Sequence, residues 1–433
     1  MGSGGAAPSG GAVKLDASRA WWDRAARVIP CGTQTLSKGP TQFVQGVSPI
    51  YLQRGRGAHV WDVDGNEFVD YPMGLGPVIL GYAEPAVDDA IRRQLEDGIT
   101  FTLMHPLEVE VAERIARLCP GVEAVRFGKS GSDALSAAVR AARAYTGRSH
   151  VLAGGYHGWH DWYVGSTTRN RGVPAEVSAL TSTFAFNDLG SLAAALDAHR
   201  GAVAAVVLEP SGLDTPDDGF LQGVVDLARA HGAVSIFDEV ITGFRLAPGG
   251  ARQRYGVIPD LSCYGKALGN GMPISAVAGS WEVMGVFEDV FFSMTHGGET
   301  LSLAAARAVL DALADGSVLA GIHELGTRML TGLQELVAAH DVGARVRIGG
   351  EPARSIVAFG GTDHLVVRSW VQQCLIQHGC LFNGSMFICA RHTADDIERA
   401  LGGFDEAFRG LAKHGDVAHL LDGPPVQPVF RAP

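Results

Sequence analysis

The feature that most constrains the fold is a series of short apolar runs separated by helical patterns. The runs are rich in valine and isoleucine, and polar residues do not alternate with apolar ones along them. A strand that is apolar throughout is buried on both faces, as in parallel sheets covered by helices. The runs lie at residues 150–155, 204–210, 233–240, 260–265 and 274–280. We therefore expect an α/β fold with a mainly parallel sheet.

Helical spacing of apolar residues marks the segments between these runs and a long stretch after them. The helical patterns lie at residues 107–119, 133–147, 223–232 and 301–340. Strand-like pieces follow at 353–361 and 380–390, and the stretch 422–433 is rich in proline. This change of pattern after the parallel-sheet region, from alternating runs to a long helical stretch and short strand-like pieces, predicts a second, smaller α+β domain.

The chain therefore divides into four expected parts. Residues 1–14, which open with MGSGGAAPSGG, are expected to form a flexible tail. Residues 15–70 are expected to pack with the small domain. The large domain is expected at 71–310 and the small domain at 311–433.

Composition limits the partners that the protein can bind and the cellular compartment in which we expect it. The formal net charge of −11 and the lack of a basic run exclude nucleic acid and anionic membranes as partners. No apolar run reaches the roughly 20 residues of a membrane span, and the opening lacks the apolar core of a signal peptide. The six cysteines are scattered, which predicts buried, reduced thiols and no metal site. We expect a cytoplasmic protein.

Charged residues follow three of the buried runs at the point where each run ends. Glu209 follows one run, Asp238 and Glu239 close the next, and Lys266 follows a third. Lys266 lies among apolar, hydroxyl and glycine residues, with no acidic neighbour within five positions. Because ligands gather at the carboxyl ends of parallel strands, these side chains can converge on one small molecule.

The segment FGKSGSDA, residues 127–134, is a turn of small residues that leads into a helix. The backbone amides of Ser130, Gly131 and Ser132 can bind a phosphate at this helix N-terminus. The same residues are also typical of an ordinary N-cap, with Asp133 complementing the helix dipole. A Walker A motif is excluded, because it needs glycine where Glu123 stands.

A phosphate turn, a strand-end carboxylate and a strand-end lysine are together what pyridoxal 5′-phosphate (PLP) requires. The lysine forms a Schiff base with the cofactor aldehyde, and the carboxylate keeps the pyridine nitrogen protonated. An aromatic side chain stacks on the ring. The segment GGYHGWHDWY, residues 154–163, offers Tyr156 and His157 for that contact, although it could equally be a structural aromatic loop.

With these motifs in order, the chain resembles the class III, fold type I PLP aminotransferases, in the branch that is similar to glutamate-1-semialdehyde aminomutase. The resemblance covers roughly residues 20–410. Its motifs are VWDVDGNEFVDYPMGLGPVILGYAEP, SGSDA, YHGWHDWY, DEVITGFR and YGKALGNGMPISAVAG. It implies a large domain with a seven-stranded type of sheet and a small domain built from the C-terminal part and the N-terminal segment.

The resemblance also implies roles for individual residues. Lys266 would be the Schiff-base lysine and proton carrier, and Asp238 would pair with the pyridine nitrogen. Tyr156 and Val240 would contact the two faces of the ring. The remaining cofactor contacts would come from Ser130, Gly131, Ser132, His157 and Glu209. In the stretch THGGETLSLAAA, Thr295 would reach the phosphate of the neighbouring subunit's cofactor, which implies a homodimer with shared active sites.

Four positions bear on the substrate. Lys38 stands near the place of an arginine that clamps the substrate carboxylate, and Met386 replaces a polar residue of the same family. Glu299 replaces a usual asparagine, while Arg245 is available either to bind an anionic donor such as glutamate or to orient Glu209.

These departures favour an aminotransferase that moves an amino group to an aldehyde or ketone, such as a sugar-derived or natural-product intermediate. An isomerase, either an aminomutase or an epimerase, is the alternative. Tyr156, His157 or Cys389 could then serve as the second acid or base. A non-catalytic protein that keeps the fold for binding is a third hypothesis.

Overall fold

The computed structural model describes residues 13–428, so most of the expected tail at 1–14 lies outside the described residues. The strands, in chain order, are β1 (Leu52–Arg56), β2 (His59–Asp62), β3 (Glu67–Asp70), β4 (Ala124–Gly128), β5 (His150–Gly154), β6 (Thr181–Thr183), β7 (Val203–Leu208), β8 (Val234–Glu239), β9 (Leu261–Tyr264), β10 (Ser275–Gly279), β11 (Val346–Glu351), β12 (Arg354–Phe359), β13 (Cys380–Leu381) and β14 (Ser385–Phe387). The helices are α1 (Asp16–Val28), α2 (Pro85–Asp97), α3 (Pro106–Leu118), α4 (Gly131–Thr146), α5 (Asp161–Val164), α6 (Ala175–Ser178), α7 (Leu189–Ala198), α8 (Phe220–Ala230), α9 (Gly250–Tyr255), α10 (Trp281–Met284), α11 (Thr300–Leu313), α12 (Ser317–Ala339), α13 (His364–Gln377) and α14 (Ala394–His414).

The chain forms two compact units. The first holds the described residues up to Met73, Gly81–Ala83 and those from Ile322 onward. The second holds Gly74–Leu80 and Glu84–Gly321. The first unit contains a four-stranded sheet, ordered β1-β2-β3-β13, and a three-stranded sheet, ordered β11-β12-β14. Residues distant in the sequence therefore share one unit.

The second unit is built on a seven-stranded sheet with the order β4-β10-β9-β8-β7-β5-β6. The strands β9, β8, β7, β5 and β6 run parallel to one another. Only β10 reverses direction against its neighbours, β4 and β9. The predicted α/β fold with a mainly parallel sheet is confirmed.

Burial explains why the central strands are apolar throughout. Every residue of β5, β7, β8, β9 and β10 is buried. Alternate side chains enter different cores: Val207 joins the cluster that contains Ala138 of α4, while Val206 joins the cluster that contains Val224 of α8. Helices on both faces therefore exclude water from the sheet.

Two further findings concern the described part of the chain. No helix there has both the length and the apolar character that a membrane crossing needs. No group of three or more histidine, cysteine or acidic side chains within residues 13–428 is arranged to hold a metal ion.

All six cysteines are free and five are buried, but Cys31 is exposed, so the prediction of buried thiols is wrong at that position. Cys31 lies in a short surface turn with a positive φ of 64°.

Candidate active site

Four parallel strands end at one edge of the seven-stranded sheet. The register pairs Gly154 with Leu208, Leu208 with Phe237, and Asp238 with Cys263. The residues that follow or close these strands therefore lie along the same edge. These residues are Tyr156, His157, Glu209, Asp238 and Lys266. The order of the sheet also reverses beside β5, which is where ligands bind in open α/β sheets.

A buried pair of hydrogen-bonded side chains occupies the middle of this edge. His157 Nδ1 lies 2.8 Å from Asp238 Oδ2, and the two side chains are 0% and 4% exposed. Asp238 Oδ1 accepts a hydrogen bond from the amide of Val240 at 3.1 Å. Within residues 13–428, His157 Nε2 is buried without a hydrogen-bond partner. The carboxylate is thus held at a fixed orientation in a site screened from water.

The sequence predicts His157 as a cofactor contact and as a possible second acid or base, but it does not reveal the pairing with Asp238. Its partner is 81 residues away in the chain. Only the parallel pairing of the intervening strands brings the two together. The available signal was weak: a histidine in a glycine-flanked turn after a buried strand.

Tyr156 lies on the same turn and is half exposed. Its amide donates to Glu209 Oε2 at 3.4 Å, and its ring lies edge-on to Tyr163 at 5.7 Å. Burial is the main cause that raises the pKa of Tyr156, and the charges of Asp238 and Glu209 raise it further. The phenol therefore stays protonated, and its ring has an accessible surface beside two carboxylates.

The turn before α4 is both an N-cap and a potential anion site. The Ser130 hydroxyl accepts from the amide of Asp133 at 3.2 Å, and the Asp133 carboxylate accepts from the amide of Ser130 at 2.7 Å. The predicted N-cap is thus present, with Ser130 as the cap. Within the described residues the amides of Gly131 and Ser132 donate to no acceptor in the chain. These two donors are available to an anion.

Close packing fixes this turn against its neighbours. A Cβ on Gly131 would come within 2.8 Å of Val240. The Ser132 hydroxyl accepts from the amide of Trp159 at 3.3 Å. A Cβ on Gly158, which has a φ of +92°, would overlap that hydroxyl. The loop after β5 and the N-terminus of α4 therefore touch without intervening side chains.

Lys266 begins a short 3-10 turn directly after β9. Its φ of 38° is unusual for a residue with a side chain, and such strain is concentrated at functional sites. The three residues that follow it are buried, while Lys266 itself is partly accessible. Asn270 closes the turn, also at positive φ, and its side chain accepts from the amide of Leu80 at 2.8 Å.

The neighbouring acid, Glu239, points away from this edge of the sheet. It is fully buried and accepts hydrogen bonds from the amides of Ala251 and Arg252 at the start of α9. Burial raises its pKa, although Arg252 opposes that effect. Because side chains alternate along a strand, Asp238 and Glu239 have different surroundings. Glu239 supports the fold of the second unit.

The other predicted site residues have these positions. Arg245 is buried, and its guanidinium donates to the carbonyl of Gly76 in the second unit. Thr295 lies in an exposed turn before α11. In the first unit, Lys38 is exposed at the end of a 3-10 turn, and Met386 is fully buried in β14. Their roles toward a substrate stay predictions.

The fold and these motifs identify the class of protein. Residues 43–353 match the family model described as Aminotransferase class-III. The chain therefore belongs to the class III aminotransferases.

Individual relatives share nearly the whole length of the chain. It is 39% identical to the glutamate-1-semialdehyde 2,1-aminomutase of Chloroflexus aggregans, over 91% of this chain and 98% of that protein. It is 32% identical to the 3-aminobutyryl-CoA aminotransferase of Cloacimonas acidaminovorans, over 93% and 99%. Among solved structures, the FumI protein of Sphingopyxis sp. MTA144, solved in a PLP form, superposes with a TM-score of 0.86 at 28% identity, covering 94% of this chain and 98% of that one.

Proposed function

We propose that the chain is a PLP-dependent aminotransferase that moves an amino group from a donor amine, such as glutamate, to an aldehyde or ketone acceptor. The observation that carries the proposal is the buried Asp238–His157 pair at the end of β8, beside the strand that leads to Lys266. A desolvated carboxylate next to a strand-end lysine is the arrangement that a pyridinium aldehyde needs. When bound, PLP supplies an electron sink for negative charge that develops on the substrate carbon.

The residues at the sheet edge fit this cofactor from end to end. The free amides of Gly131 and Ser132 suit its phosphate. Asp238 offers a carboxylate to the pyridine nitrogen, and the contact with His157 keeps that carboxylate oriented. The half-exposed ring of Tyr156 would stack on the cofactor ring, with Val240 on the other side. His157 and Glu209 complete the cofactor-binding set.

Lys266 would hold the cofactor covalently and, once released by the donor amine, carry the proton. A lysine needs a neutral amine for both tasks. Lys266 is the single lysine among the five sheet-edge residues named above, and none of the five is an arginine. Its fixed, strained backbone limits the directions in which the amine can move.

We propose further that the protein works as a homodimer in the cytoplasm, with Thr295 completing the phosphate site of the neighbouring subunit. A run of large apolar side chains is exposed between α2 and α3, and a second copy of the chain would cover it. The exposed fractions are 42% for Ile99, 45% for Phe101, 78% for Leu103 and 83% for Met104. Thr295 is itself exposed, as a residue that reaches another subunit must be.

The alternative function is an aminomutase, which returns the amino group to the same molecule. It is favoured by the identity of up to 39% to glutamate-1-semialdehyde 2,1-aminomutases. The aminotransferase is favoured by the aminobutyryl-CoA relative and by Lys38, which cannot form the bidentate clamp of an arginine. Lys38 and Met386 nevertheless stay unassigned to a substrate.

One experiment separates these functions. We expect the purified protein with PLP to show a visible absorbance band, and borohydride followed by mass spectrometry to place the cofactor on Lys266. A donor amine alone should then bleach the band and release one equivalent of a keto product. Retention of the amino group in the product, with solvent deuterium at the substrate carbon, would support the aminomutase instead. A protein that binds no PLP would refute both enzyme functions and leave the binding hypothesis.

A further inference from the structure

A charged pair lies beside the turn that we assign to the cofactor phosphate. Lys129 precedes Ser130 directly, and its Nζ lies 3.0 Å from Oε2 of Glu299. The two side chains are 21% and 13% exposed, so the pair is largely screened from solvent. The residues are 170 positions apart, and no role had been predicted for Lys129.

Glu299 cannot turn away easily, because it also caps α11. Its Oε1 accepts from the amide of Leu301 at 2.6 Å, and its Oε2 accepts from the hydroxyl of Ser302 at 2.6 Å. Burial acts to raise the pKa of Glu299, but hydrogen bonds from Ser302 and Lys129 outweigh that effect and lower it. An ionised, fixed carboxylate therefore holds the ammonium of Lys129 in one position.

A second carboxylate lies at the same turn. Asp133 Oδ2 accepts from the amide of Lys129 at 3.2 Å and from the amide of Ser130 at 2.7 Å. Asp133 and Glu299 thus both bind residues of the turn in which, within the described chain, the amides of Gly131 and Ser132 are the free donors. Two carboxylates repel a phosphate dianion unless a nearby cation offsets them.

We propose that Lys129 is that cation, a binding residue that favours the cofactor phosphate, and that Glu299 is the positioning residue that fixes its ammonium. This inference rests on the proposed function. It assigns Lys129 an electrostatic role toward the cofactor phosphate. The alternative is a purely structural role, in which the Lys129–Glu299 pair only holds the start of α4 against the start of α11. The two roles predict different results.

The first test compares two ligands that differ only in the phosphate. The apoprotein of the Lys129→Met variant, purified or refolded, should bind PLP roughly tenfold or more weakly than the wild type. The reason is that one full positive charge is lost in a site screened from solvent. The affinity for pyridoxal, which lacks the phosphate, should change less than about twofold. Lys413→Met removes the same charge at an exposed position of α14 and should change neither affinity. Equal losses for both ligands in Lys129→Met would overturn the inference.

The second test uses a double variant. Adding Glu299→Gln to Lys129→Met removes a repulsive charge while an amide oxygen still caps α11, so PLP affinity should recover severalfold. Lys129→Arg keeps the charge and should stay within about threefold of the wild type. If the pair only held the two turns together, the double variant would bind PLP no better than Lys129→Met, and the inference would be wrong.

The wild-type protein distinguishes failure of this inference from failure of the proposed function. If it binds no PLP, the proposed function fails and this inference falls with it. If it binds PLP and Lys129→Met binds equally well, the inference alone is refuted. Retained pyridoxal binding shows in each variant that the site is folded.

Discussion

At the scale of single residues, the candidate site depends on a few atoms that must approach one another closely. His157 and Asp238 form one such contact, and the loop after β5 forms another where Gly158 meets Ser132. The second contact matters because Ser132 carries one of the two free amides that we propose bind the cofactor phosphate. A displacement of Ser132 would therefore affect cofactor binding as well as the packing of the fold.

Gly158→Ala should therefore lower both stability and PLP affinity. Alanine would suffer from the φ of +92°, and its Cβ would in addition overlap the Ser132 hydroxyl. Gly172→Ala is a matched control, because Gly172 has a φ of +93° and open space around it. Urea unfolding should show Gly158→Ala to be less stable than the control by about 1–3 kcal/mol, the typical cost of overpacking. Equal losses in the two variants would mean that the contact with Ser132 is unimportant.

The candidate-site residues that the sequence predicts are those with a local signal. Lys266 and Asp238 stand out because each lies at the end of an apolar run. The partners of these and other residues could not be predicted, because they come from distant segments. His157 meets Asp238 across 81 positions, and Lys129 meets Glu299 across 170. Such pairs depend on strand register and on where loops end, which no local pattern encodes.

At the scale of elements, burial decides which strands a sequence reveals. The five fully buried strands of the second unit were all predicted within a few residues of their ends. Strands β1, β2, β3, β4, β6 and β11 were missed. In β1, for example, the sequence LQRGR is almost wholly exposed, so it carries no apolar pattern to detect. These strands form through pairing with their neighbours, and pairing partners are not visible in the sequence.

His392, between β14 and α14, should make the stability of the protein depend on pH. Its ring is buried and stacks on Tyr71 at 5.0 Å, and Nδ1 accepts from the amide of Cys389 at 3.0 Å. Burial is the main cause that lowers its pKa from 6.5 to about 4. The unfolded chain therefore binds a proton at this residue below about pH 6.5, whereas the folded protein binds it only near pH 4. The contribution of His392 to the free energy of unfolding is fully present above pH 6.5. It decreases by up to about 3 kcal/mol as the pH drops toward 4.

The measurement is the free energy of unfolding in urea at several pH values between 7 and 4. His392→Asn keeps an acceptor for the Cys389 amide but cannot titrate, so its stability should depend less steeply on pH than that of the wild type. The difference between the two proteins is the informative quantity, because His59 acts in the opposite direction. A hydrogen bond to Asp396 is the main cause that raises the pKa of His59, so its contribution is lost as the pH rises. His414→Asn, at an exposed position, serves as the control, and an unchanged slope in His392→Asn would contradict the prediction.

At the scale of the whole molecule, the exposed apolar run before α3 should control assembly. Leu103→Glu places a charge in the surface that we propose is covered by a second copy, so the dimer should dissociate at micromolar concentration. Val28→Glu is a matched control, because Val28 and Leu103 are each 78% exposed. Sedimentation velocity measures the outcome. A fully dimeric Leu103→Glu protein would show that this surface lies outside the interface.

Shared active sites make a stronger prediction about mixed dimers. Each site would take Lys266 from one chain and Thr295 from the other, so Lys266→Ala and Thr295→Val damage different halves of it. Lys266→Ala alone should be inactive, and Thr295→Val alone should need roughly tenfold more PLP, because it loses a hydrogen bond to a charged group. In a mixed dimer, one site carries both defects and the other carries neither. Mixing tagged chains, isolating the hybrid and titrating it with PLP should therefore reveal half of the wild-type activity at the wild-type PLP affinity. If Thr295 instead served its own chain, the surviving site would contain the Thr295→Val change, and the hybrid would show the weakened affinity.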